Sequence, residues 1–404
     1  MNPERNTSNA MAKSDNITEV DVVIFGAGIA GLWTFHHLKR LGYDVLLLEK
    51  YAIGGKQSIA SQGIIHSGLK FSLAGKVSNL AKSISKMPDI WRDALNGKGS
   101  VDLSNAHINA KSQQLLIPKG AFGSLTNIVA NKALGNQAHS ISKNEWSEEV
   151  KSSGFDGSII FMDEPVLDIP SVIHALAEPY MSCIRKITDE QASTPFKFLK
   201  ENNITAKRII FTCAEGNHLI AKDNHHDTGL ETQKRPLLQG MLKSAPFQLY
   251  AHLVGKTDKP LVSITTHKAS DGELVWYLGG RAAERKKDDK PEHVYNDALM
   301  AFKKYLPNVD FSDAQWSTLP IDRVEGKSRT DGWMPDTPTI HHTNEALYCW
   351  PTKLTFAPML SQMILEDLEK LDIKPSNKIS DFSFLPNVYY AQAPWEKTEW
   401  TELS

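Results

Sequence analysis

Asp21-Val-Val-Ile-Phe25 is a short apolar run, and Gly26-Ala-Gly28-Ile-Ala-Gly31 follows it directly. An apolar helical pattern then extends from Leu32 to Leu41 and stops at Gly42. Asp44-Val-Leu-Leu-Leu-Glu49 reads as a second buried strand that ends in an acid. Strand, glycine turn, helix and strand in this order are typical of a dinucleotide-binding βαβ unit. Glycines alone also mark ordinary turns, so the prediction depends on the whole series.

The glycines of this unit have separate physical roles. Gly26 allows a tight turn, Gly28 lets the backbone approach a pyrophosphate, and Gly31 lets the helix pack closely on the sheet. The helix start offers N–H groups and a partial positive charge to phosphates. Glu49, 18 residues after Gly31, suits ribose hydroxyls and disfavours the 2′-phosphate of NADP. The predicted dinucleotide-binding residues here are Gly26, Gly28, Ile29, Ala30, Gly31, Glu49 and Lys50.

The next segment favours FAD over NAD. Residues 54–68 are small and polar, with Ile64 and Ile65 between glycines, where an NAD dehydrogenase would be expected to continue with another plain βαβ unit. Such a segment can lie against a planar cofactor and donate backbone N–H groups to it. The alternative is a long surface loop, against which the embedded Ile-Ile-His argues. The predicted cofactor contacts are Ser61, Gln62, Gly63 and Ile64.

At Ser61-Gln-Gly63-Ile-Ile-His66-Ser-Gly68 the sequence resembles the D-amino-acid oxidase-like (DAO) family of FAD-dependent oxidoreductases. That family includes glycine and sarcosine oxidases, L-2-hydroxyglutarate dehydrogenases and glycerol-3-phosphate dehydrogenases. The resemblance implies a discontinuous FAD-binding domain beside a substrate domain. It continues in order along the chain at residues 164–176, 207–217, 335–340 and 347–371. In the later segments it implies cofactor contacts at Gly216, Lys353, Leu354 and Thr355.

Two departures from the family pattern fall where substrate and flavin are expected to meet. The family's usual Gly-His-Gly-Gly-like turn before the last helix is here Trp350-Pro-Thr-Lys353. The stretch between Asp322 and Ile340 is also longer than the common pattern. These changes leave the substrate class more open than the cofactor.

The sequence predicts an α/β protein, α+β overall, in which a Rossmann-type FAD-binding domain accompanies a second, antiparallel-sheet substrate domain. Residues 1–17 read as a disordered leader. The FAD-binding domain is predicted at 18–82, 155–225 and 320–404, and the substrate domain at 83–154 and 226–319. In the second domain, runs of β-branched and aromatic residues predict strands, with a hairpin turn at Asp271-Gly272.

Four residues are candidates for the chemistry, since a flavin itself carries the electron transfer. Lys353, next to the expected flavin pyrimidine, would favour the reduced anion, or would otherwise be a surface lysine. Arg323 and Arg329 could bind a substrate carboxylate through two parallel hydrogen bonds, or form surface ion pairs. His66 resembles a family histidine beside the flavin and could act as a base, attach flavin covalently, or be purely structural.

Together these features predict an FAD-dependent enzyme that oxidises a small amino acid or 2-hydroxy acid by hydride transfer to flavin. Oxygen, a quinone or a carrier protein would reoxidise the flavin. One alternative is an accessory or assembly protein that holds FAD without oxidising a substrate; another is an NAD-linked dehydrogenase, against which residues 61–68 argue.

Bulk properties exclude several other classes. The 404 residues carry a formal net charge of -2, which gives no indication of a nucleic-acid partner. The three cysteines form no metal-binding or disulfide pattern, so no metal site is expected and a reducing compartment fits best. No apolar run is long enough to span a bilayer, and the expected location is the cytoplasm.

Overall fold

The computed structural model describes residues 17–68, 84–120, 138–227, 229–255, 259–286, 288–327, 337–351 and 353–402. Its strands are β1 (Thr18–Phe25), β2 (Val45–Glu49), β3 (Ile108–Ala110), β4 (Gln113–Pro118), β5 (Ala138–Ile141), β6 (Gly157–Met162), β7 (Val166–Leu167), β8 (Ile184–Lys186), β9 (Ile204–Phe211), β10 (Thr232–Lys243), β11 (Ala251–Leu253), β12 (Val262–Lys268), β13 (Leu274–Gly279), β14 (Gln315–Gly326), β15 (Thr339–His342), β16 (Ala346–Trp350) and β17 (Thr401–Glu402). Its α-helices are α1 (Ile29–Arg40), α2 (Met87–Leu95), α3 (Glu148–Ser152), α4 (Ile169–Ala177), α5 (Asp189–Ser193), α6 (Pro195–Glu201), α7 (Glu215–Asp223), α8 (Pro291–Tyr305) and α9 (Ala357–Lys370).

The apolar segments of the βαβ unit lie in the middle of a six-stranded sheet with the order β15-β16-β9-β1-β2-β8. All its neighbours pair in parallel except β15, which is antiparallel at the edge. Strands buried on both faces read as continuous apolar runs, and β2 is buried along its whole length. Helix α1 packs against α4 and α9 over this sheet. This is the predicted Rossmann-type half of the fold.

The second sheet has nine strands in the order β17-β14-β10-β13-β12-β11-β4-β6-β5. It is antiparallel as predicted, except that β4 and β11 pair in parallel. Alternation along β13 sends neighbouring side chains to opposite faces: Trp276 packs in the core formed with α8, and Tyr277 packs with Trp395 on the other face. The Asp271-Gly272 hairpin is present, and Gly272 adopts φ +92.

Several segments lie on the other side of the domain division that the sequence predicted. Residues 155–225 were assigned to the cofactor domain, yet β6 pairs along its length with β4 in the second sheet. Helix α2 was assigned to the substrate domain, yet its Trp91 ring lies 4.5 Å from the ring of Trp33 in α1. Residues 320–404 are predicted in the cofactor domain as well, yet β14 and β17 lie in the second sheet. The division into domains stays a proposal, with these segments exchanged.

The C-terminal segment after α9 crosses both sheets. Ser376 donates from its backbone N–H and its hydroxyl to the Asp21 carboxylate, over 2.9 and 2.7 Å. Burial raises the pKa of Asp21, but hydrogen bonds from Lys207, the Asp44 backbone and Ser376 outweigh it and lower that pKa. Further on, the chain enters the second sheet as β17, beside β14. The segment therefore ties the two sheets together.

No helix in the described part of the chain is both long enough and apolar enough to cross a membrane.

A candidate dinucleotide and substrate site between the two sheets

The glycine turn joins β1 to α1. Gly26 has φ +100, and a Cβ atom there would lie 2.8 Å from the carbonyl oxygen of Thr212. A Cβ on Gly31 would lie 1.9 Å from the Gly26 carbonyl oxygen. Packing of the protein itself therefore requires glycine at both positions.

Gly28 is different, because packing of the described chain does not explain it. A Cβ there would meet only one described atom within 4 Å, the Ser58 hydroxyl oxygen at 3.2 Å. Gly28 is the N-cap of α1 and no side chain caps it. The helix start is thus open to an anion at the place where the sequence predicts a pyrophosphate.

Glu49 lies at the end of β2 and faces this turn. Its two carboxylate oxygens each accept one backbone N–H, from Ala27 and from Tyr51, both over 2.7 Å. Burial raises the pKa of the Glu49 carboxyl, although these backbone hydrogen bonds act in the opposite direction. A carboxylate oxygen accepts more than one hydrogen bond, so both can also receive ribose hydroxyls. The next residue, Lys50, pairs with Asp189 at 3.0 Å.

The segment that follows β2 contacts the start of α1 on one side and the second sheet on the other. The Ser58 hydroxyl accepts the Ile29 N–H over 2.8 Å at the helix start, a contact that sequence reasoning missed. The Gln62 amide donates to the carbonyl oxygens of Tyr277 (2.8 Å) and Ser263 (3.2 Å), so its amide group ties this segment to the second sheet. Gly63 has φ +75 and packs against Leu167, where a Cβ would lie 2.1 Å from the carbonyl oxygen.

Two neighbouring residues complete this segment. Ser61 accepts the Gly63 N–H over 3.2 Å, and Ile64 forms a bridge with Val166. The predicted cofactor contacts Ser61–Ile64 thus lie on a backbone that is fixed between the two sheets.

His66, Glu164 and His252 meet where this segment crosses the second sheet. Glu164, 1% exposed, accepts the Ser67 N–H (2.8 Å) and hydroxyl (2.9 Å) on Oε1. Its Oε2 lies 3.0 Å from Nδ1 of His66. The His252 ring stacks on that of His66 at 6.1 Å, and its Nδ1 contacts the Ser263 hydroxyl over 2.7 Å.

One nitrogen or oxygen from each of His66, Glu164 and His252 lies within 4.8 Å of the others. The group therefore also has the donor set of a divalent metal site, which the sequence did not predict. Glu164 and His252 were missed because nothing local relates them to His66.

Arg323 lies on β14. The next residue, Val324, donates its backbone N–H to the Gln57 amide oxygen over 3.1 Å. The neighbour of Arg323 across the strands, Arg235, pairs with the buried carboxylate of Glu325. Arg323 has no carboxylate oxygen within 4.0 Å among the described residues, and its one hydrogen bond there is a 3.4 Å contact to the Arg235 carbonyl. Burial and the Arg235 charge lower the pKa of Arg323 to about 10, so it remains a cation at neutral pH. Arg329 lies outside the described residues.

The last predicted contacts surround the start of α9. Lys353 directly precedes a short 3₁₀ turn, Leu354–Phe356, that continues into the helix. Thr355 is buried, and its carbonyl accepts the Trp91 indole N–H over 3.0 Å. The indole of Trp350, in the atypical turn, donates to the carbonyl of Ala214 over 3.1 Å.

Ala214 has φ +51, a strained value for a residue with a side chain. It precedes α7, and Gly216 lies in the first turn of that helix. Strain of this kind clusters at ligand sites, and Ala214 lies two residues after Thr212, whose carbonyl oxygen faces Gly26.

Comparison with known proteins identifies the family. Residues 21–348 match the family model DAO, described as FAD dependent oxidoreductase. The chain belongs to the DAO family of FAD-dependent oxidoreductases. It is 34% identical over 389 residues to the probable FAD-dependent oxidoreductase PA4991 of Pseudomonas aeruginosa, across 93% of this chain and 97% of that protein.

Solved structures agree with this assignment. The crystal structure of PA4991 superposes with a TM-score of 0.78 at 28% identity, over 95% of this chain and 99% of that one. Glycine oxidase from Geobacillus kaustophilus (TM-score 0.59, 15% identity, 90% and 100% covered) shares the fold. So does L-amino acid deaminase from Proteus vulgaris (0.58, 16%, 89% and 92%).

This chain is therefore an oxidoreductase that uses FAD, and the prediction of FAD over NAD is confirmed. The residues present fit that cofactor. Gly28 leaves an opening over a helix N-terminus, as a diphosphate requires, and Glu49 offers acceptor oxygens to a ribose.

Proposed function

We propose that this enzyme oxidises a small amino acid or 2-hydroxy acid and binds the substrate carboxylate through Arg323. The proposal is supported by the Arg323 guanidinium, which is half-buried and has no carboxylate oxygen within 4.0 Å in the described chain. Glu284 and Glu325 act on this cation only from a distance, and a substrate carboxylate would supply a direct partner with matching bidentate geometry. Arg329 is a second candidate for the same role.

The cofactor would rest on the βαβ unit. Its diphosphate would lie over Gly28 and the N–H group of Ala30, beside the Ser58 hydroxyl that accepts the Ile29 N–H, and Glu49 would hold the adenosine ribose. We further propose that Lys353 and the start of α9 face the flavin, where a positive charge and a helix N-terminus favour an anion. FAD, when bound, accepts two electrons as a hydride from the substrate carbon.

The proposed binding of a carboxylate fits both amine and alcohol substrates. Structural neighbours include an iminodiacetate oxidase and an L-alpha-glycerophosphate oxidase, whose names cover both kinds of carbon–heteroatom bond. At 13% and 14% identity these neighbours indicate only that the fold accommodates either reaction. The electron acceptor would be oxygen, a quinone or a carrier protein.

The test is anaerobic reduction of the bound flavin by a panel of small amino and 2-hydroxy acids, monitored by the loss of the visible absorbance of oxidised flavin. Arg323→Lys keeps the charge but loses the planar fork, so we expect KM to rise on the order of tenfold or more. Arg285→Lys is the matched control, because Arg285 pairs with Asp297 on α8. If no acid bleaches the flavin, the accessory-protein alternative gains and the proposal is wrong.

A further inference from the structure

We propose that Gln239 selects the substrate of this enzyme, because its carboxamide donates a hydrogen bond to an oxygen atom on the substrate side chain. The substrate is then an amino or 2-hydroxy acid whose side chain ends in a neutral, oxygen-bearing group. The inference rests on the function proposed above, in which Arg323 holds the carboxylate, and it narrows the substrate class.

The first observation is a buried hydrogen-bond donor that the described chain leaves unused. Gln239 lies on β10 and is 4% exposed. Its carboxamide nitrogen is buried and has no hydrogen-bond partner among the described residues. A buried N–H group without a partner is costly, and native structures satisfy nearly all such groups. An oxygen atom of a ligand would satisfy this one.

The second observation is the face of the sheet to which Gln239 belongs. A Cβ on the next residue, Gly240, would lie 3.0 Å from a side chain of α8. Because side chains alternate along a strand, Gln239 faces away from α8. The same alternation puts Gly279 on this face, since Leu278 packs in the core formed with α8. A Cβ on Gly279 would lie 2.4 Å from the Gln62 amide oxygen, so the predicted cofactor segment reaches the face that carries Gln239.

Arg323 lies on the same face. It is opposite Arg235 of β10, and Arg235 and Gln239 are four residues apart on that strand. Directly opposite residues share a face, an even separation along a strand preserves it, and four residues extend about 13 Å. Both side chains are long, so one small molecule can contact the guanidinium and the carboxamide together.

The surface between these two polar groups is apolar. Leu237 and Ile321 are opposite each other midway between them, and both are half-buried. Leu319, opposite Gln239 on β14, is half-buried as well. Beside these side chains a second substrate carboxylate would be costly to bury, so a neutral oxygen fits better. A carboxylate, a short aliphatic chain and a neutral polar end match this series in order.

The experiment uses matched straight-chain 2-amino and 2-hydroxy acids, whose side chains have equal length and end in either a carboxamide or a methyl group. In the wild-type holoenzyme, anaerobic flavin reduction should favour the carboxamide by about tenfold or more in kcat/KM, because the analogue without it leaves the buried donor unpaired. Gln239→Leu should lower kcat/KM for the carboxamide by a similar factor, and should change kcat/KM for the methyl analogue less than about threefold. Gln114→Leu is the matched control, because Gln114 is opposite Ala251, which packs in the core formed with α8 on the other face.

Gln239→Asn gives a readout that a purely structural role would not move. It withdraws the carboxamide by one methylene group, so the preferred carboxamide substrate should become one methylene group longer. Carboxylates without a 2-amino or 2-hydroxyl group cannot be oxidised in this way, and their Kd values for the holoenzyme, measured by calorimetry, should show the same preference and the same shift.

Equal kcat/KM for the two side-chain classes in the wild type, or equal effects of Gln239→Leu on both, would overturn the inference, because the carboxamide would then contact only water or protein. An unshifted chain-length preference in Gln239→Asn would overturn it as well. In each of these cases acids still reduce the flavin, and the proposed function stays intact. Reduction by no acid of either kind would instead contradict the proposed function.

Discussion

Replacing His37 by glutamine should flatten the dependence of stability on pH. His37 lies in α1, is 6% exposed, and its Nδ1 is 2.8 Å from the Ser361 hydroxyl of α9. Burial, followed by the charges of Arg40 and His36, lowers the pKa of His37 to about 4. Glutamine can keep a hydrogen bond to Ser361 but does not titrate.

The sign of the effect follows from proton linkage. The unfolded chain has an ordinary histidine pKa of about 6.5, so between about pH 6.5 and 4 it binds a proton that the folded chain does not. Above this window the histidine is neutral in both the folded and the unfolded chain. Stability is lost as the pH falls through the window, because only the unfolded chain then binds the proton. The full pKa difference corresponds to about 3 kcal/mol of unfolding free energy, of which about 2 kcal/mol is lost by about pH 5.

Urea unfolding at about pH 7.5 and about pH 5 measures this directly. We expect the loss of unfolding free energy between the two conditions to be smaller by about 2 kcal/mol in His37→Gln than in the wild type. His293→Gln, on the exposed face of α8, is the matched control for the loss of one histidine. An unaltered pH dependence in His37→Gln would refute the assignment of a buried neutral imidazole.

Other changes test the packing that positions the site. Gly31→Ala should destabilise the fold by about 2 kcal/mol or more in urea unfolding, because the new Cβ would lie 1.9 Å from the Gly26 carbonyl oxygen; wild-type stability would contradict this packing. Asp21→Asn should cost about 2 kcal/mol and speed proteolysis after Leu371, because it weakens the bonds from Lys207 and Ser376. An unchanged cleavage rate would argue against the tie between the sheets. Tyr277→Phe removes the hydrogen bond from the Tyr277 hydroxyl to the Ala60 carbonyl and should lower the free energy of unfolding by about 1 kcal/mol. An unchanged free energy of unfolding would contradict this role.

The first βαβ unit could be predicted because its determinants are local. An apolar strand, a turn that needs glycine and a helix follow one another within about 30 residues. Gly26 and Gly31 each avoid a clash with a near neighbour or an adjacent segment. Strands of the second sheet were also recognisable from β-branched and aromatic runs, although the segment that forms β6 falls within the predicted cofactor domain. A strand's sequence shows its period but not its pairing partner.

Only some of the residues at the site could be predicted from the sequence. His66 could be selected through a motif, but Glu164 lies 98 residues further along and His252 approaches from a different sheet. Ser58 was missed for the same reason, since its role depends on reaching the start of α1. Such contacts depend on tertiary packing, and local periodicity carries no information about them.

The flavin content of Gly28→Val tests the placement of the cofactor most directly. A Cβ at this position would meet only the Ser58 hydroxyl oxygen within 4 Å, at 3.2 Å, and the valine side chain would occupy the place proposed for the diphosphate. We predict close to one FAD per chain in the purified wild type and almost none in the variant, while the flavin-free proteins unfold at similar urea concentrations. A fully folded Gly28→Val protein that retained FAD at the wild-type level would contradict the placement of the cofactor.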